Sequence, residues 1–315
     1  MHSPQPFTDI ELDLPDRRVG KVRVSYALAD GERLFVTTDR LSAFDRVVAA
    51  IPYKGQVLNQ LAAWWFENTA DIVANHVRSI PDPNVTVGIE AQPLPVEVIV
   101  RGYITGVTST SLWKRYADGE RVIYGHQLGE GLQQHQRLDV ALITPTTKAE
   151  AGQHDEALTC AEVTEQGLVE PKLWDQVQAA ALALFARGQD VAGNAGLILA
   201  DTKYEFGLAP DGTLVLIDEM HTPDSSRFWV QNTYAERVAN GEDPESLDKE
   251  PIRRALIAAG YKGDGESPDL GPEVVAVTTA RYIDAYERIT AKTFERGSYP
   301  VAPRLTDAIK KAGLL

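Results

Sequence analysis

The stretch "LILADTKYEFGLAPDGTLVLIDEMHTPDSSRFW", residues 197–229, decides the fold. Two apolar runs, both rich in strand-forming residues, stand on either side of Pro210-Asp211-Gly212, which is a typical turn sequence. The stretch therefore predicts an antiparallel β-hairpin. Its charges need a separate explanation, because acidic and basic side chains gather at the ends of two runs that otherwise have the composition of buried strands.

The charges of this hairpin lie close together. Side chains alternate between the two faces of a strand, so Asp201, Lys203 and Glu205 share a face. Counting back from the turn places Glu205 near Ile217 or Asp218. By the same count, Lys203 lies near Glu219.

Two interpretations account for these charges. On a face exposed to solvent, they would form ion pairs across the strands. Alternatively they form a divalent cation site, because Mg²⁺ usually takes one or two carboxylates and fills its shell with water and nucleotide phosphate. Glu205 and Asp218 would then hold the metal, and Lys203 would reach phosphate oxygens.

Composition restricts the possible partners. The chain has 315 residues, of which 43% are hydrophobic, and this is enough for a folded protein of two lobes. With 31 basic and 45 acidic side chains its net charge is −14, which disfavours binding to nucleic acid or to anionic membranes. Local basic clusters are therefore expected to mark receptors for small anions.

The cysteine content and the N-terminal segment predict a cytoplasmic protein. The single cysteine, Cys160, cannot form an internal disulfide, which fits a reducing compartment. No histidine or basic residue adjoins it, so a packed side chain is favoured over a catalytic thiol. The first residues lack the layout of a signal peptide, and no apolar run approaches the ~20 residues of a membrane span.

Element signals predict an α+β fold in two lobes, residues 1–93 and 94–315. "GKVRVSYALADGERLFVTTD" reads as a hairpin with its turn at Asp30-Gly31, and "PLPVEVIVRGYITG" as an extended segment that crosses between the lobes. Helical spacing marks the segments from Gly55 to Asn68, after Glu170 and from about Pro272.

Three segments have the composition of anion receptors. Arg227 adjoins Ser225 and Ser226, and an arginine with hydroxyls is a good receptor for a phosphate monoester. Arg101 precedes a loop of glycines and hydroxyl residues that leads into a helix. Gly20-Lys21 opens a strand pair and could contact a phosphate, but without Walker A spacing an ordinary turn is the favoured interpretation of these residues alone.

Two further polar segments are ambiguous. "TTDRLSAFDR" holds Asp39, Ser42 and Asp45, and it is either a cap and turn or a loop that closes on a substrate. "TPTTKAEAGQHDE" contains Lys148, His154 and Asp155. No second histidine stands at ligand spacing, so an orienting role for His154 is favoured over a metal-binding one.

Six motifs resemble, in sequence and in order, those of the SAICAR synthetase family. They are "GKVRVSY", "TTDRLSAFD", "LPVEVIVRGYITG", "TPTTKAEAGQHDE", "ADTKYEFG" and "DEMHTPDSSRFW". The resemblance runs from about Val19 to Trp229. It implies a two-lobed SAICAR synthase-like fold, similar to ATP-grasp enzymes and protein kinases, with C-terminal helices.

The resemblance also implies an activity. Members join the carboxylate of carboxyaminoimidazole ribonucleotide (CAIR) to the amine of L-aspartate in purine biosynthesis, with ATP and Mg²⁺ as cofactors. Because a carboxylate is a poor electrophile, ATP is expected to convert it first to an acyl phosphate. The expected partners are these small molecules, and the expected assembly is a monomer or a small homo-oligomer.

Transferred position by position, the resemblance implies three sets of site residues. The catalytic set is Lys203, Glu205 and Asp218, of which Glu205 and Asp218 hold Mg²⁺. The ATP-binding set is Gly20, Lys21, Leu94 and Lys203. The set that binds CAIR or aspartate is Asp39, Ser42, Asp45, Arg101, Ser109, Lys148, Asp155, Ser225, Ser226 and Arg227.

One position departs from the family pattern. Many members have serine directly after the Thr-Gly of the arginine loop, whereas Val107 stands there in this chain. The hydroxyl contact is then expected to pass to Thr108 or Ser109, or to be lost. The segment 109–139 is longer than in the shortest members, and the sequence does not distinguish a lid from an oligomer contact or plain surface.

Two other functions compete with the ligase. A small-molecule kinase on the same scaffold would release ADP without L-aspartate and would form no amide. A catalytically silent nucleotide-binding protein would be expected to have lost Lys203, Glu205 or Asp218. All three are present.

Overall fold

The computed structural model describes residues 4–44, 46–148, 155–261, 263 and 265–315, without the side chain of Pro251. Its strands are β1 (Arg18–Val19), β2 (Arg23–Ala27), β3 (Glu32–Thr37), β4 (Arg40–Ala43), β5 (Arg46–Ala50), β6 (Val77–Asp82), β7 (Val85–Ile89), β8 (Gln92–Tyr103), β9 (Val122–Ile123), β10 (His126–Gln127), β11 (Arg137–Ile143), β12 (Thr146–Thr147), β13 (Leu197–Leu208), β14 (Leu214–Ile217) and β15 (Ser226–Val230). Its helices are α1 (Lys54–Asn68), α2 (Leu112–Ala117), α3 (Cys160–Glu165), α4 (Pro171–Asn194), α5 (Gln231–Ala239), α6 (Glu250–Ala258), α7 (Gly271–Thr290) and α8 (Val301–Lys311).

A five-stranded antiparallel sheet, β1-β2-β3-β7-β6, forms the N-terminal part of the molecule. The β2–β3 hairpin confirms the predicted turn, since Ala29–Gly31 form one turn of 3₁₀-helix between the two strands. The apolar side of the sheet is covered by Phe7 and Ile10 and by helix α8, which contributes Leu305 and Ile309 to the same core. The last helix of the chain thus packs on the first sheet.

The second sheet has the order β11-β8-β13-β14, with β15 also paired to β13 and β12 to β8. The hairpin β13–β14 is the one predicted, and Glu205 lies opposite Ile217 as expected. The ladder ends there, because Asp218 takes a left-handed conformation with φ +68° and the chain turns out of the strand. The expected pairing of Lys203 with Glu219 therefore does not form. On the other edge of β13, Lys203 pairs with Ile99 of β8.

The helices enclose the second sheet in one large apolar core. This core joins residues of α1, α4 and α7 to β8 and β13, and Trp65, Trp174 and Tyr282 are almost completely buried in it. Helices α1, α4 and α7 begin within a residue of their predicted starts. Within the described part of the chain, no helix combines the length and the apolar character that crossing a membrane requires.

Candidate functional site

A polar cavity of about 220 Å³ opens where the second sheet meets the start of α6. Its walls come from β8, β13 and β15, from the loop after β8, and from the segment that leads into α6. Many of its lining side chains are charged or carry a hydroxyl; these are Arg101, Thr108, Ser111, Asp201, Thr202, Lys203, Asp224, Ser225, Ser226, Arg227, Asp248, Lys249, Glu250 and Arg253. The structure therefore brings together four separated sequence motifs.

Two buried arginines share one aspartate in this cavity. Asp201 on the central strand lies in register with Arg101 on one neighbour and with Arg227 on the other. Nη1 of Arg101 lies 3.4 Å from Oδ2 of Asp201, and Nη1 of Arg227 donates to the same oxygen. Glu250 also lies 3.8 Å from Nε of Arg227 and contacts Arg253. Among the described residues, the three arginines thus have ion pairs with two acids, Asp201 and Glu250, and a surplus positive charge faces the cavity.

The two arginines respond differently to burial. Burial lowers the pKa of Arg101 below its ordinary value, against the attraction of Asp201. Burial also acts on Arg227, but Asp201 and Glu250 outweigh it and raise the pKa of that guanidinium. Both groups stay charged at neutral pH, as a phosphate receptor requires.

Hydroxyl groups complete this receptor. Oγ of Ser226 lies 2.7 Å from Oγ1 of Thr202, and Oγ of Ser225 accepts from the backbone N–H of Thr222 at 3.2 Å. On the opposite loop, Oγ1 of Thr108 lies 2.7 Å from Oγ of Ser111. In each of the two bonded pairs one hydroxyl donates to the other, which leaves the second free to donate to an anion that enters between the arginines.

The loop after β8 is shaped by a glycine. Gly106 has φ +96°, and a Cβ atom there would come within 2.4 Å of Oγ of Ser111. Val107 is exposed, and Ser109 is exposed and does not line the cavity. Of the two hydroxyls expected to replace the missing serine, only that of Thr108 lines the cavity, and Ser111 joins it.

A ladder of alternating charges continues along the same sheet. Nζ of Lys203 donates to Oε1 of Glu97 at 2.9 Å and also to Oε1 of Glu205. Nζ of Lys148 donates to the other oxygen of Glu205. Glu97 and Glu205 lie directly opposite each other on β8 and β13 and would otherwise repel; Lys203 contacts both of them, and Lys148 contacts Glu205.

This arrangement shifts the pKa values of the two carboxylates in opposite directions. Burial raises the pKa of Glu97 despite the nearby Lys203. Burial also opposes ionisation of Glu205, but Lys203 and Lys148 outweigh it and hold its pKa well below the ordinary value. Glu205 is therefore an ionised carboxylate across the whole physiological range.

Asp218 and Glu219 form a second acidic pair. Arg23 on β2 donates from Nη1 to Oδ1 of Asp218, and from Nη2 to Oε2 of Glu219 at 2.8 Å. This contact links the first sheet to the end of the predicted hairpin. Burial opposes the charge on Arg23, but Asp218 and Glu219 raise its pKa above the ordinary value.

The predicted Mg²⁺ ligands fit only a cation that arrives with other ligands. Among the residues that the structure describes, no group of three or more His, Cys, Asp or Glu side chains is placed to hold a metal ion. Glu205 and Asp218 could supply at most the one or two carboxylates that Mg²⁺ takes when a nucleotide provides further oxygens. Each is balanced here by a basic side chain, which such a cation would have to displace or share.

The other predicted ATP residues lie outside the cavity. Gly20 and Lys21 form the exposed turn between β1 and β2, where the N–H of Gly20 donates to the carbonyl of Arg23 at 2.9 Å. Leu94 on β8 is buried in the large core with 8% of its surface exposed. Their predicted contacts with ATP remain expectations.

The segment predicted to close on substrate is in part a structural connection. Asp39 is fully buried and accepts from the N–H groups of Phe7 (2.8 Å) and Gly55 (3.0 Å) and from the hydroxyl of Tyr299 (2.7 Å). It thus fixes the N-terminal segment and the start of α1, and it does not line the cavity. Ser42 lies half-buried on β4, and Asp45 is outside the described residues.

The "TPTTKAEAGQHDE" motif is described only in part. Lys148 contacts Glu205, as noted above, and the charge of Asp155 acts on Glu97, so both lie at the Glu205 end of the sheet. His154 lies outside the described residues. Burial raises the pKa of the Cys160 thiol to about 11, consistent with a packed side chain.

Several residues of the site did not figure among the predicted ones. Glu97 lies four residues before Arg101 on β8, on the same face of that strand, and this alternation would have indicated it. Arg23 belongs to another sheet and has no such signal. Asp248, Lys249, Glu250 and Arg253 come from a segment some twenty residues beyond the last motif. Its sequence signal is a run of charges ahead of the proline in the first turn of α6. This pattern indicates where a helix begins, but it does not indicate a binding or catalytic role.

Behind the cavity, α1 supplies a fully buried cation. Nζ of Lys54 lies 2.7 Å from Oδ2 of Asp224, and the hydroxyl of Tyr282 donates to the other oxygen at 2.5 Å. Burial opposes the charge of Asp224, but Lys54 and then Lys249 lower its pKa below the ordinary value. Asp224 is therefore already neutralised from the protein interior.

Comparison with known proteins agrees with this geometry. The family model described as SAICAR synthetase matches residues 17–268. A putative phosphoribosylaminoimidazole-succinocarboxamide synthase 2 of Mesorhizobium japonicum is 50% identical over 282 residues, covering 90% of each chain. The synthase of Legionella pneumophila (strain Lens) is 46% identical over 299 residues, covering 94% of this chain and 95% of its own.

A solved structure shares the architecture. The SAICAR synthase of Saccharomyces cerevisiae, complexed with SAICAR, superposes with a TM-score of 0.79 at 34% identity, over 92% of this chain and 99% of the yeast chain. The motifs, the architecture and these relatives lead to one conclusion. The chain belongs to the SAICAR synthetase family.

Proposed function

We propose that this chain joins the carboxylate of CAIR to the amine of L-aspartate at the expense of ATP, giving SAICAR, ADP and phosphate. One observation supports the proposal most directly: along β13, two arginines contact Asp201 at one position and a lysine contacts Glu205 at another. The two positions are four residues apart on one strand, about 13 Å. A ribonucleotide with a phosphate at one end and a reactive carboxylate at the other matches this layout.

In this assignment, Arg101 and Arg227, with the hydroxyls of Ser225 and Ser226, bind the phosphate of CAIR. The buried arginines offer a surplus charge that a phosphate dianion neutralises, and their forked N–H groups suit its oxygens. Thr108 and Ser111 take the part predicted for Ser109. Binding of the phosphate end thereby fixes the position of the reacting carboxylate, and such positioning lowers the entropic part of the barrier in a reaction between two substrates.

At the other end of the strand, the carboxylate of CAIR would meet the charges around Lys203. We propose that a carboxylate oxygen of CAIR attacks the γ-phosphorus of ATP, so that ADP leaves and an acyl phosphate forms. The amine of aspartate then attacks the acyl carbon, loses a proton, and expels inorganic phosphate as the amide forms. Lys203, which contacts Glu97 and Glu205 here, would neutralise charge on the transferring phosphoryl group.

Mg²⁺ is part of this proposal, and Glu205 and Asp218 would hold it. When bound, the ion would neutralise charge on the phosphate oxygens of ATP and align them for transfer. Arg23, which contacts Asp218 and Glu219, would then be free to turn toward the same phosphates. Gly20 and Lys21 in the neighbouring turn are proposed to cover the phosphates, and Leu94 to contact the adenine.

We further propose that Lys148 and Asp155 lie beside the aspartate substrate, that Ser42 and Asp45 belong to a loop over the site, and that the protein is cytoplasmic and a monomer or small homo-oligomer. The division at residues 93 and 94 also remains a proposal. The kinase alternative is not favoured, because the relatives and the structure named above are synthases of one family.

The test is ADP release from purified protein with ATP, Mg²⁺, CAIR and L-aspartate, with each component omitted in turn. Release that requires all four, together with a succinylated product in mass spectrometry, is the expected result. Steady ADP release without aspartate would instead support a kinase or a hydrolytic leak. Absence of release in every mixture would support the silent nucleotide binder.

A further inference from the structure

Residues 109–139 fold into a small unit beside the two arginines of the cavity. Its apolar core joins α2 to the β9–β10 hairpin through Tyr116, Ile123 and Tyr124, and it packs on Ile104 of β8. The structure describes this whole segment, and of its residues Ser111 alone lines the cavity. Any effect of the hairpin on a bound substrate must therefore pass through other residues.

The tip of the β9–β10 hairpin has an unusual residue. The two strands pair Ile123 with His126, so the loop consists of Tyr124 and Gly125 alone. Both have positive φ, +55° and +79°, which is the mark of a type I′ turn, and the usual sequences of such a turn are Asn-Gly and Asp-Gly. A bulky residue in the left-handed region persists only where its surroundings fix it. The contacts of the Tyr124 side chain therefore need an explanation.

The side chain of Tyr124 is directed at the loop that carries the hydroxyls of the cavity. It is 4% exposed, and its hydroxyl donates to the backbone carbonyl of Thr110 at 2.8 Å. Nη2 of Arg101 donates to the same carbonyl at 3.3 Å. Thr110 directly precedes Ser111, so one carbonyl connects the phenol of Tyr124 to both a guanidinium and a hydroxyl of the cavity wall.

The hairpin is itself held in place, so it can hold the loop. Nε2 of His126 lies 2.8 Å from the backbone carbonyl of Ile143 at the end of β11. Cζ of Arg115 lies 5.2 Å from the centroid of the Tyr124 ring, within the range of a cation–π contact. The ring is thus fixed by α2 and the turn by the second sheet.

Arg101 has few other groups that set its orientation. Its Nε donates to the hydroxyl of Thr144 at 2.8 Å, but its Nη1 lies 3.4 Å from Asp201, beyond the usual range of a hydrogen bond. We propose that Tyr124 is a positioning residue, which acts through the Thr110 carbonyl to hold Arg101 and the adjoining loop in the geometry that receives the phosphate of CAIR. Residues 109–139 then brace this receptor and do not act as a moving lid. The inference rests on the function proposed above.

The test is steady-state kinetics of Tyr124→Phe, which keeps the buried ring and removes the hydroxyl. We expect the KM for CAIR to rise about 2- to 10-fold, as for loss of one neutral hydrogen bond. The turnover number and the KM values of ATP and L-aspartate should change little, because Tyr124 touches no reacting group.

Tyr116→Phe is the matched control. Tyr116 belongs to the same small core, is 5% exposed, and donates from its hydroxyl to the carbonyl of Gly129 at 2.9 Å. This variant loses an equivalent hydrogen bond without touching Thr110, so its KM for CAIR should stay at the wild-type value. An unchanged KM for CAIR in Tyr124→Phe would overturn the inference. Equal rises in the two variants, or in the KM values of all three substrates, would also overturn it, since general loosening of the unit would then explain the effect.

Binding of inorganic phosphate distinguishes this failure from that of the proposed function. The dissociation constant of phosphate, measured from the rise of the unfolding midpoint with phosphate concentration, should be about 2- to 10-fold higher in Tyr124→Phe than in the wild type. Equal constants would refute the role of Tyr124. If the wild-type protein makes no amide from CAIR and aspartate, the function is refuted, whereas the phosphate result still decides whether Tyr124 positions the receptor.

Discussion

Replacement of Asp201 by asparagine tests the shared-carboxylate receptor through stability alone. The side chains of Arg101 and Arg227 are 7% and 17% exposed, and the variant would leave both charges without their common acid. At 3.4 Å and an effective dielectric constant of about 20, one such pair is worth on the order of 5 kcal/mol before relaxation. Allowing for relaxation and water entry, we expect a loss of about 3–5 kcal/mol in the free energy of unfolding.

In a thermal unfolding experiment this loss corresponds to a fall of about 5–8 °C in the midpoint, because the unfolding entropy of a chain of 315 residues is about 0.66 kcal/mol/K. Inorganic phosphate should then stabilise the variant more than the wild type, because Arg101 has lost its acid and Arg227 keeps only the more distant Glu250, at 3.8 Å. At one hundred times its dissociation constant, phosphate would return about 2.7 kcal/mol.

Asp190→Asn on the exposed face of α4 is the control, and its midpoint should stay within about 1 °C of the wild type. A midpoint for Asp201→Asn within the same limits would refute the reasoning. So would an equal effect of phosphate on the variant and the wild type, since the anion would then bind elsewhere.

Two further predictions concern the acidic end of the site. Asp218→Asn should lower turnover at least about 100-fold, because asparagine cannot replace the charge opposite Arg23. The circular dichroism spectrum should stay unchanged, because asparagine tolerates the left-handed backbone at this position. Wild-type turnover in the folded variant would remove Asp218 from the mechanism. Glu205 has a depressed pKa in the folded protein, so its contribution to stability is complete above about pH 5 and is lost as the pH falls through the ordinary glutamate range toward the folded value. Glu205→Gln should therefore flatten the dependence of the unfolding midpoint on pH between about 5 and 3, and an unchanged slope would contradict the pairing with Lys203.

The sequence predicted best what depends on local pattern. The hairpin from residue 197, its register at Glu205 and the starts of α1, α4 and α7 follow from alternation, turn residues and helical spacing. The sequence predicted only part of the convergence of Arg101 and Arg227 on the same strand. Each was predicted to bind phosphate, but their common acid, Asp201, depends on the order of three strands in a sheet.

What the sequence did not predict depends on contacts between distant segments. Arg23 reaches Asp218 from another sheet, and Lys249 reaches the cavity from the start of α6, so neither contact leaves a periodic signal. Asp39 illustrates the opposite case. A polar loop of that composition suggests a substrate, yet burial beneath the N-terminal segment makes its carboxylate a connection between backbone amides.

The packing of α8 on the first sheet affects how the protein folds during its synthesis. Strands β1 to β7 leave the ribosome well before Val301, Leu305 and Ile309, which complete their apolar core, because the second sheet and its helices are synthesised in between. During that interval Phe7 and Ile10 are present to cover this side of the sheet, but α8 is not. We therefore expect the nascent first sheet to be prone to aggregation until α8 has been synthesised.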